Sequence, residues 1–161
     1  MRDLHHRAAV SGALGSLLLA LLLVWHWRAE RQVRLHSEHF LRAVESHAWD
    51  KVSAAVAADY RDQWANDRAL FLEQLPAAMR FFRGVKFEAE SARMTTSEDR
   101  GAWSAKIRLH GGDESAAPLL ERVNASRTPF ELQWRRQSAR PWDWQLVRIE
   151  NPDLGFPDGT P

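Results

Sequence analysis

The hexapeptide DYRDQW at residues 59–64 places two carboxylates beside a phenol and an indole. On a helix, Asp59 and Asp62 would be neighbours at a spacing of three, and Tyr60 and Trp64 at a spacing of four. In a catalytic interpretation, the two rings line the mouth of a cavity and one aspartate relays a proton. In a structural interpretation, the rings pack with their polar tips hydrogen-bonded, and the aspartates pair with arginines or cap a helix. Because a tyrosine at helical spacing is more often a packing residue than a catalytic one, the structural interpretation is favoured. Tyr60 and Asp62 are catalytic candidates only under the catalytic interpretation.

Two histidines, His36 and His39, have a spacing that can bring imidazoles together around a metal ion. No third ligand is evident, so they are interpreted as polar residues of a solvated helix. His110 precedes two glycines and is interpreted as an exposed turn residue. The chain contains no cysteine, which excludes disulfides, zinc–thiolate sites and thiol nucleophiles. The sequence therefore predicts no metal and no cofactor.

Charge is spread unevenly along the 161 residues, whose formal net charge is +1. Residues 1–34 carry five arginines against two carboxylates, whereas residues 35–161 carry 17 basic and 19 acidic side chains. Nucleic-acid binding requires a concentrated positive face that releases counterions from phosphates. The larger segment has no such concentration, so nucleic acid is not a predicted partner.

An uncharged apolar segment at residues 8–25 reads AAVSGALGSLLLALLLVW. As a helix it would be about 27 Å long, close to the hydrocarbon thickness of a bilayer. Trp25 and Trp27 lie at one end, where indoles favour the headgroup level. The following residues offer no small-residue cleavage site, so a retained transmembrane anchor is favoured over a signal peptide. We expect a single-pass protein of the bacterial inner membrane that contacts the lipid bilayer through residues 8–25.

Arginine flanks both ends of this segment, and more of it follows than precedes. The positive-inside rule then favours a cytoplasmic location for the rest of the chain. Single-pass bacterial anchors also carry exported domains, so the sequence leaves both sides open.

Helical spacing of apolar residues continues after residue 32 and predicts three helices. The first is marked by four apolar residues, Phe40, Leu41, Val44 and Ala48. Asp50 is the predicted N-cap of the second helix. The third is predicted over about residues 67–82, begun by Asn66 and Asp67 and kinked or ended early at Pro76.

After Gly84 the apolar period changes from 3.6 to 2, which predicts four strands. The residues predicted to face inward are Val85, Phe87 and Ala89; Trp103, Ala105, Ile107 and Leu109; Phe130, Leu132 and Trp134; and Trp142, Trp144 and Leu146. Turns are predicted at 97–101 and 138–141, and a bulge before Ile149. Segment 111–128 is long for a hairpin loop, so either a strand begins near Leu120 or the segment is a mobile flap.

Three helices and four strands with one apolar sheet face predict an α+β domain, because such a face must be covered. We expect the helices to lie in the concavity of a curved antiparallel sheet. Residues 1–34 are predicted to form the N-terminal tail, transmembrane helix and juxtamembrane segment, and residues 35–151 the α+β domain. Residues 152–161, rich in glycine and proline, are predicted to be a disordered tail.

This order of elements, with FLRAVESHAWDKVSAAVAADYRDQW and the strand-ending WDWQLVRIENP, resembles the nuclear transport factor 2-like (NTF2-like) superfamily. SnoaL-like and ketosteroid isomerase-like domains belong to it, and the resemblance covers about residues 35–151. It implies a cone-shaped α+β domain with a cavity between helices and sheet, and frequent dimers through the outer sheet face. Its members include isomerases, dehydratases, cyclases and non-catalytic binding modules, so the fold alone does not select a function.

The predicted inward strand face carries no Asp, Glu or His, because the charged strand residues fall on the outer face by parity. The strand-borne base that the resemblance implies for isomerase-like members therefore has no counterpart. We expect a membrane-anchored, non-catalytic module that binds a small apolar ligand or a protein partner near the bilayer. The alternative is a SnoaL-like isomerase, hydrolase or dehydratase acting on a hydrophobic substrate. The predicted pocket-lining residues are Tyr60, Trp64, Phe71, Trp103, Phe130, Trp134 and Trp144.

The outer sheet face is predicted to carry Lys106, Arg108, Glu131, Gln133 and Arg135. These mixed charges could pair with a second copy in a homodimer, although they are more typical of a solvated face.

Overall fold

A computed structural model describes residues 28–80, 82, 84–112 and 114–154. Its α-helices are α1 (Ala29–Glu45), α2 (Trp49–Ala55), α3 (Arg68–Met79) and α4 (Ala117–Ala125). Its strands are β1 (Lys86–Ser97), β2 (Arg100–His110), β3 (Phe130–Arg136) and β4 (Trp144–Glu150), and short 3-10 helices form at Glu114–Ala116 and Pro152–Leu154. The strands form one antiparallel sheet in the order β1-β2-β3-β4, which confirms the predicted α+β class. The predicted number of helices is wrong, because the described residues contain four.

Helix α1 packs its apolar stripe on the sheet and buries Val33, Phe40 and Val44. It begins at Ala29, so it runs continuously across the boundary that the sequence placed between residues 34 and 35. Among the described residues, no helix combines the length and the apolar character needed to cross a bilayer. The anchor predicted at residues 8–25 lies outside the described residues.

Two helix starts were predicted, and one is confirmed. Asp67 is the N-cap of α3, and its carboxylate accepts a hydrogen bond from the backbone N–H of Leu70 at 3.0 Å. Asp50 does not cap α2, because Ala48 takes that position and Asp50 lies in the first turn. A carboxylate there still interacts favourably with the helix dipole. Pro76 lies inside α3, which continues only to Met79.

Burial alternates along β2 as the period-2 pattern predicts, with Trp103, Ala105, Ile107 and Leu109 all buried. The predicted bulge before Ile149 is confirmed, because the pairing of β3 with β4 skips one residue of β4 between Leu146 and Arg148. The inward assignment of Trp142 is wrong, because Trp142 lies in the β3–β4 turn and not in β4 and is 49% exposed. Ala89 pairs with Ile107 and so shares its face of the sheet, but it is exposed because it lies on the edge strand β1.

Segment 111–128 contains neither a strand nor a flap over its described residues, so both predictions for it are wrong. It contains α4, whose first turn includes a proline, a position that tolerates a missing N–H. Asn124 locks this helix to β2, since its side-chain oxygen accepts from Leu109 N at 2.8 Å and its amide donates to Leu109 O at 2.9 Å. Leu120 of the same helix is buried in the hydrophobic core.

The C-terminal residues that the structure describes are held by hydrogen bonds. Pro152–Leu154 form a 3-10 helix where the sequence predicts a disordered tail. The carboxylate of Asp153 accepts from the backbone N–H groups of Arg127 and Thr128, at 2.6 and 2.8 Å. Those bonds, with weaker ones from hydroxyl groups, hold the pKa of Asp153 below its usual range.

Residues 56–63 run alongside β4 and occupy its free edge. Backbone N–H groups of Ala57, Arg61 and Gln63 donate to carbonyls of Leu146, Val147 and Ile149 at 2.9, 3.1 and 3.3 Å. The DYRDQW segment is therefore not helical, and the predicted helical pairing of Asp59 with Asp62 and of Tyr60 with Trp64 is wrong. The edge groups of β4 need hydrogen-bond partners, and this irregular segment supplies them.

Candidate functional site: an apolar cavity between the helices and the sheet

A cavity of about 240 Å³ lies between α1, α3 and the inner face of the sheet. No nitrogen or oxygen atom of the described residues contributes to its surface. Its walls are Phe40, Leu41, Val44, Phe71, Leu75, Ala78, Met79, Phe82, Phe87, Ile107, Leu109, Val123, Phe130, Leu132 and Ile149. Such a lining can hold a ligand by apolar burial and dispersion, without fixing it by hydrogen bonds.

The walls follow from two sequence periods that meet in space. Phe40, Leu41 and Val44 project from one face of α1 at helical spacing. Ile107 and Leu109 project from the inner face of β2 at a spacing of two. Several wall residues, among them Leu41, Leu75 and Val123, are only partly buried, so the cavity approaches the surface on that side.

Of the residues predicted to line a pocket, Phe71 and Phe130 contribute to this cavity. Trp103, Trp134 and Trp144 lie elsewhere in the core, 1–3% exposed. The indole N–H of Trp134 donates to Ser37 Oγ at 2.9 Å, and that of Trp144 to Pro141 O at 2.8 Å. Phe82 and Ile149 were not predicted to line a pocket. The inward position of Phe87 on its strand and the apolar stripe of α1 did indicate part of this wall.

Tyr60 and Asp62 are brought together, but away from the cavity walls. The Tyr60 ring packs on Phe71 with centroids 4.8 Å apart, and its hydroxyl lies 3.5 Å from Asp62 Oδ2. Burial, with a smaller contribution from the Asp62 charge, raises the pKa of the Tyr60 phenol well above its usual range. A phenol held neutral in this way is a donor to Asp62 and a poor base.

Both carboxylate oxygens of Asp62 are engaged in shaping the loop. Oδ1 accepts from the backbone N–H groups of Trp64 and Asn66, each at 2.9 Å, and Oδ2 accepts from Asn66 Nδ2 at 3.0 Å. The residue is 4% exposed. These contacts replace the helix cap or arginine pairing considered from the sequence. Trp64 is partly buried and donates its indole N–H to Leu154 O at 2.8 Å.

Asp59 points the other way, to the outer face of the sheet. Its carboxylate forms a bidentate pair with the Arg135 guanidinium, with N–O distances of 2.7 and 2.8 Å. This hydrogen-bonded pair holds the pKa of Asp59 below its usual range. The two aspartates of DYRDQW therefore stabilise different contacts, and neither lines the apolar cavity.

The remaining polar contacts in this region join segments of the fold. Gln63 exchanges two hydrogen bonds of 2.6 Å with the backbone of Asn151, which is fully buried and also bonded to Ser126. The described residues include no group of three or more His, Asp or Glu side chains arranged to hold a metal ion. The His36 ring donates its Nδ1–H to Gln32 O at 2.8 Å and packs edge-on against Trp134, and His39 is exposed.

No protein-family model matches the chain, and no curated protein sequence matches it. Solved structures do resemble it. An NTF2-like protein of unknown function from Pseudomonas putida KT2440 superposes with a TM-score of 0.58 at 19% identity, over 75% of this chain and 83% of that one. A putative ketosteroid isomerase from Shewanella frigidimarina gives 0.58 at 11% identity, over 76% and 95% of the two chains.

An NTF2-like protein with a cystatin-like fold from Novosphingobium aromaticivorans gives a TM-score of 0.55 at 18% identity, over 89% of this chain and 90% of that one. These likenesses confirm the predicted NTF2-like fold. At such low identities they show the fold alone, because this fold carries many unrelated functions.

Proposed function

We propose that the chain is a membrane-anchored, non-catalytic NTF2-like module whose cavity binds a small apolar ligand. The observation that carries the proposal is the wall of the cavity, which is apolar over all its described residues. Ligand sites are concave and mostly apolar, with a few polar groups that fix orientation. The described wall of this cavity offers no hydrogen-bond donor or acceptor, so the ligand is selected by its shape and its hydrophobicity.

The size of the cavity limits the ligand. At about 240 Å³ it has room for roughly eight groups of water size. A compact hydrocarbon or the end of a longer apolar chain fits this space, with any polar end left outside at the partly exposed side. An apolar side chain of a protein partner is the other proposed occupant, because it has the same apolar chemistry as a small hydrocarbon.

The absence of catalysis is proposed from where the acid–base groups lie. A general base must reach the proton it abstracts, directly or through one water. Asp62 has both oxygens engaged by loop donors, and Asp59 is paired on the outer face. The alternative, a SnoaL-like isomerase, hydrolase or dehydratase, would require Tyr60 or Asp62 to reach a substrate from outside the described cavity wall.

The ligand proposal is tested with benzene as a probe and the full-length chain. A ligand that binds the native state raises the midpoint of thermal unfolding. We expect benzene to raise the midpoint of the wild type, and Leu41→Trp to abolish the shift by filling the cavity. Leu35→Trp is the matched control, because Leu35 is a partly buried residue of the same helix outside the cavity wall. Equal shifts in all three proteins, or none in the wild type, would contradict the proposal.

The anchor is proposed from residues 8–25, whose uncharged length matches a bilayer. It places the module at the bacterial inner membrane, with the charge bias favouring the cytoplasmic side. Alkaline extraction of membranes from expressing cells should leave the full-length chain in the pellet. Release into the supernatant would contradict the anchor without affecting the ligand test.

A homodimer through the outer sheet face is a further proposal about partners. Arg108, Gln133 and Arg135 are partly buried there within one copy. Native mass spectrometry of the full chain released from nanodiscs tests it, and a monomer at all concentrations would contradict it.

A further inference from the structure

We propose that the turn between β3 and β4, residues 137–143, is a second membrane contact, in which Trp142 enters the headgroup region of an anionic bilayer. The inference rests on the proposed anchor and adds a surface of the folded domain to it. It follows from the position of this turn relative to the start of α1.

The start of α1 and the β3–β4 turn lie at the same end of the domain. Val33 packs against Gly101, where an added Cβ would lie 2.3 Å from its Cγ2 atom. Gly101 pairs with Trp134, so these three residues mark one level of the fold. From that level, Ala29 lies about 6 Å along the helix and Arg136 about 7 Å along β3. Residues 137–143 follow Arg136 directly, so the start of α1 and this turn both lie within a short distance of that level.

The anchor can be only a short distance beyond this end. Residue 25, the last of the predicted span, is three residues before Arg28, the first described residue. Three residues reach at most about 11 Å even when fully extended. The end of the domain that contains the start of α1 therefore lies close to the headgroups if residues 8–25 span the bilayer.

The turn is ordered in a way that leaves Trp142 outside the core. Gln137 N donates to Asp143 O at 2.8 Å, and Asp143 N donates to Arg140 O at 3.2 Å. The Trp144 indole donates to Pro141 O at 2.8 Å, which fixes the other side of the turn. Trp142 is 49% exposed, the most exposed large apolar side chain of the described residues. A turn whose backbone is already held by hydrogen bonds loses little conformational entropy when it enters an interface.

The same end carries an excess of arginine. Residues 28–34, 98–100 and 136–143 contain six arginines and four carboxylates. Arg136 N donates to Asp99 O at 2.7 Å, so the β1–β2 and β3–β4 turns are adjacent. The Arg136 guanidinium lies 5.9 Å from the Trp144 ring, and within the described residues the Arg140 side chain has no carboxylate partner. Exposed indole with neighbouring arginine is the composition that favours an anionic membrane interface.

Site-specific labelling tests this, since the native chain has no cysteine. Ala139→Cys places a bimane label in the turn. Ala125→Cys places the same label at the end of α4, and both alanines are exposed. Asn124 is bonded to Leu109, eight residues along β2 from Gly101, so the control site lies roughly 26 Å along the strand from the level of Gly101 and Trp134. The full-length chain is reconstituted in phosphatidylcholine–phosphatidylglycerol vesicles that contain a lipid with a nitroxide headgroup.

We expect severalfold greater quenching of the Ala139→Cys label than of the Ala125→Cys label, and a decrease when Trp142→Ser is added. Equal quenching at the two sites in an incorporated chain would overturn the turn contact while leaving the anchor intact. Unchanged quenching with Trp142→Ser would overturn the role of the indole. A chain that stays out of the vesicles would overturn the anchor and, with it, this inference.

Discussion

The indole N–H of Trp134 donates a hydrogen bond to the hydroxyl of Ser37 across the core, with a nitrogen–oxygen distance of 2.9 Å. Ser37 in turn donates to the carbonyl of Val33 one helical turn earlier, also at 2.9 Å. Trp134 is 1% exposed and Ser37 is fully buried, so water does not replace this bond in the folded state. The pair joins β3 to α1 inside the core.

Replacement of Ser37 by alanine should destabilise the domain, because the Trp134 donor would be left buried without its acceptor. A buried unsatisfied group costs about 1–3 kcal/mol. Urea unfolding of the full-length chain measures the difference. Ser46→Ala is the matched control on the same helix, since the Ser46 side chain is exposed and donates to Arg42 O. We expect the control to change the free energy of unfolding by less than about 0.5 kcal/mol. Equal effects of the two changes would contradict the assignment.

The two aspartates of DYRDQW should differ strongly when each is changed to alanine. Asp62 is buried and accepts from two backbone N–H groups and an amide, so Asp62→Ala should cost about 3 kcal/mol. The side chain of Asp59 is 59% exposed, and exposed ion pairs contribute at most about 1 kcal/mol. Asp59→Ala should therefore have a small effect in the same urea titration. The reverse order would show that the outer ion pair, and not the loop, holds this segment.

Glu45 should make stability depend on acid pH. Its hydrogen bond from the Lys86 ammonium, with a smaller one from Phe87 N at 3.2 Å, holds its pKa below the usual range. Because the folded pKa is depressed, this contribution is present above the unfolded pKa, about 4.3, and is lost as the pH falls through the folded pKa. Glu45→Gln should therefore reduce the loss of stability in that pH window.

Lys86→Met removes the larger cause of the depressed pKa and should flatten the same window. Unfolding midpoints in urea, measured at several pH values for the wild type and both variants, provide the comparison. Wild-type pH dependence in both variants would contradict the role of this pair.

Gly101 should not tolerate a side chain, because Val33 is stiff at its branched Cβ and fully buried. A Cβ at position 101 would lie 2.3 Å from Val33 Cγ2. Gly101→Ala should destabilise the domain by about 1–3 kcal/mol through overpacking. In the double variant with Val33→Ala, the clash is removed and the two costs should be less than additive. Additive costs in a double-mutant cycle would show that the two residues are not coupled.

The periodic parts of this fold were predicted from the sequence. The stripe of α1 and the alternation of β2 place Phe40, Val44, Ile107 and Leu109 on facing surfaces, and these residues form walls of the cavity. Such patterns are local, since each residue needs only neighbours within a few positions to show which face it occupies. The cap at Asp67 and the bulge before Ile149 are local signals of the same kind.

The tertiary structure decided which distant segments meet. The edge of β4 takes residues 56–63 as its hydrogen-bond partner, so DYRDQW is an irregular segment with turns although its spacing suits a helix. Arg135 selects Asp59, 76 positions away, and the large tryptophans fill the core beside the cavity instead of lining it. Helical and strand periods record which face of an element is apolar. They do not record which element covers that face, because this depends on packing volume and on backbone groups that require partners once they are buried.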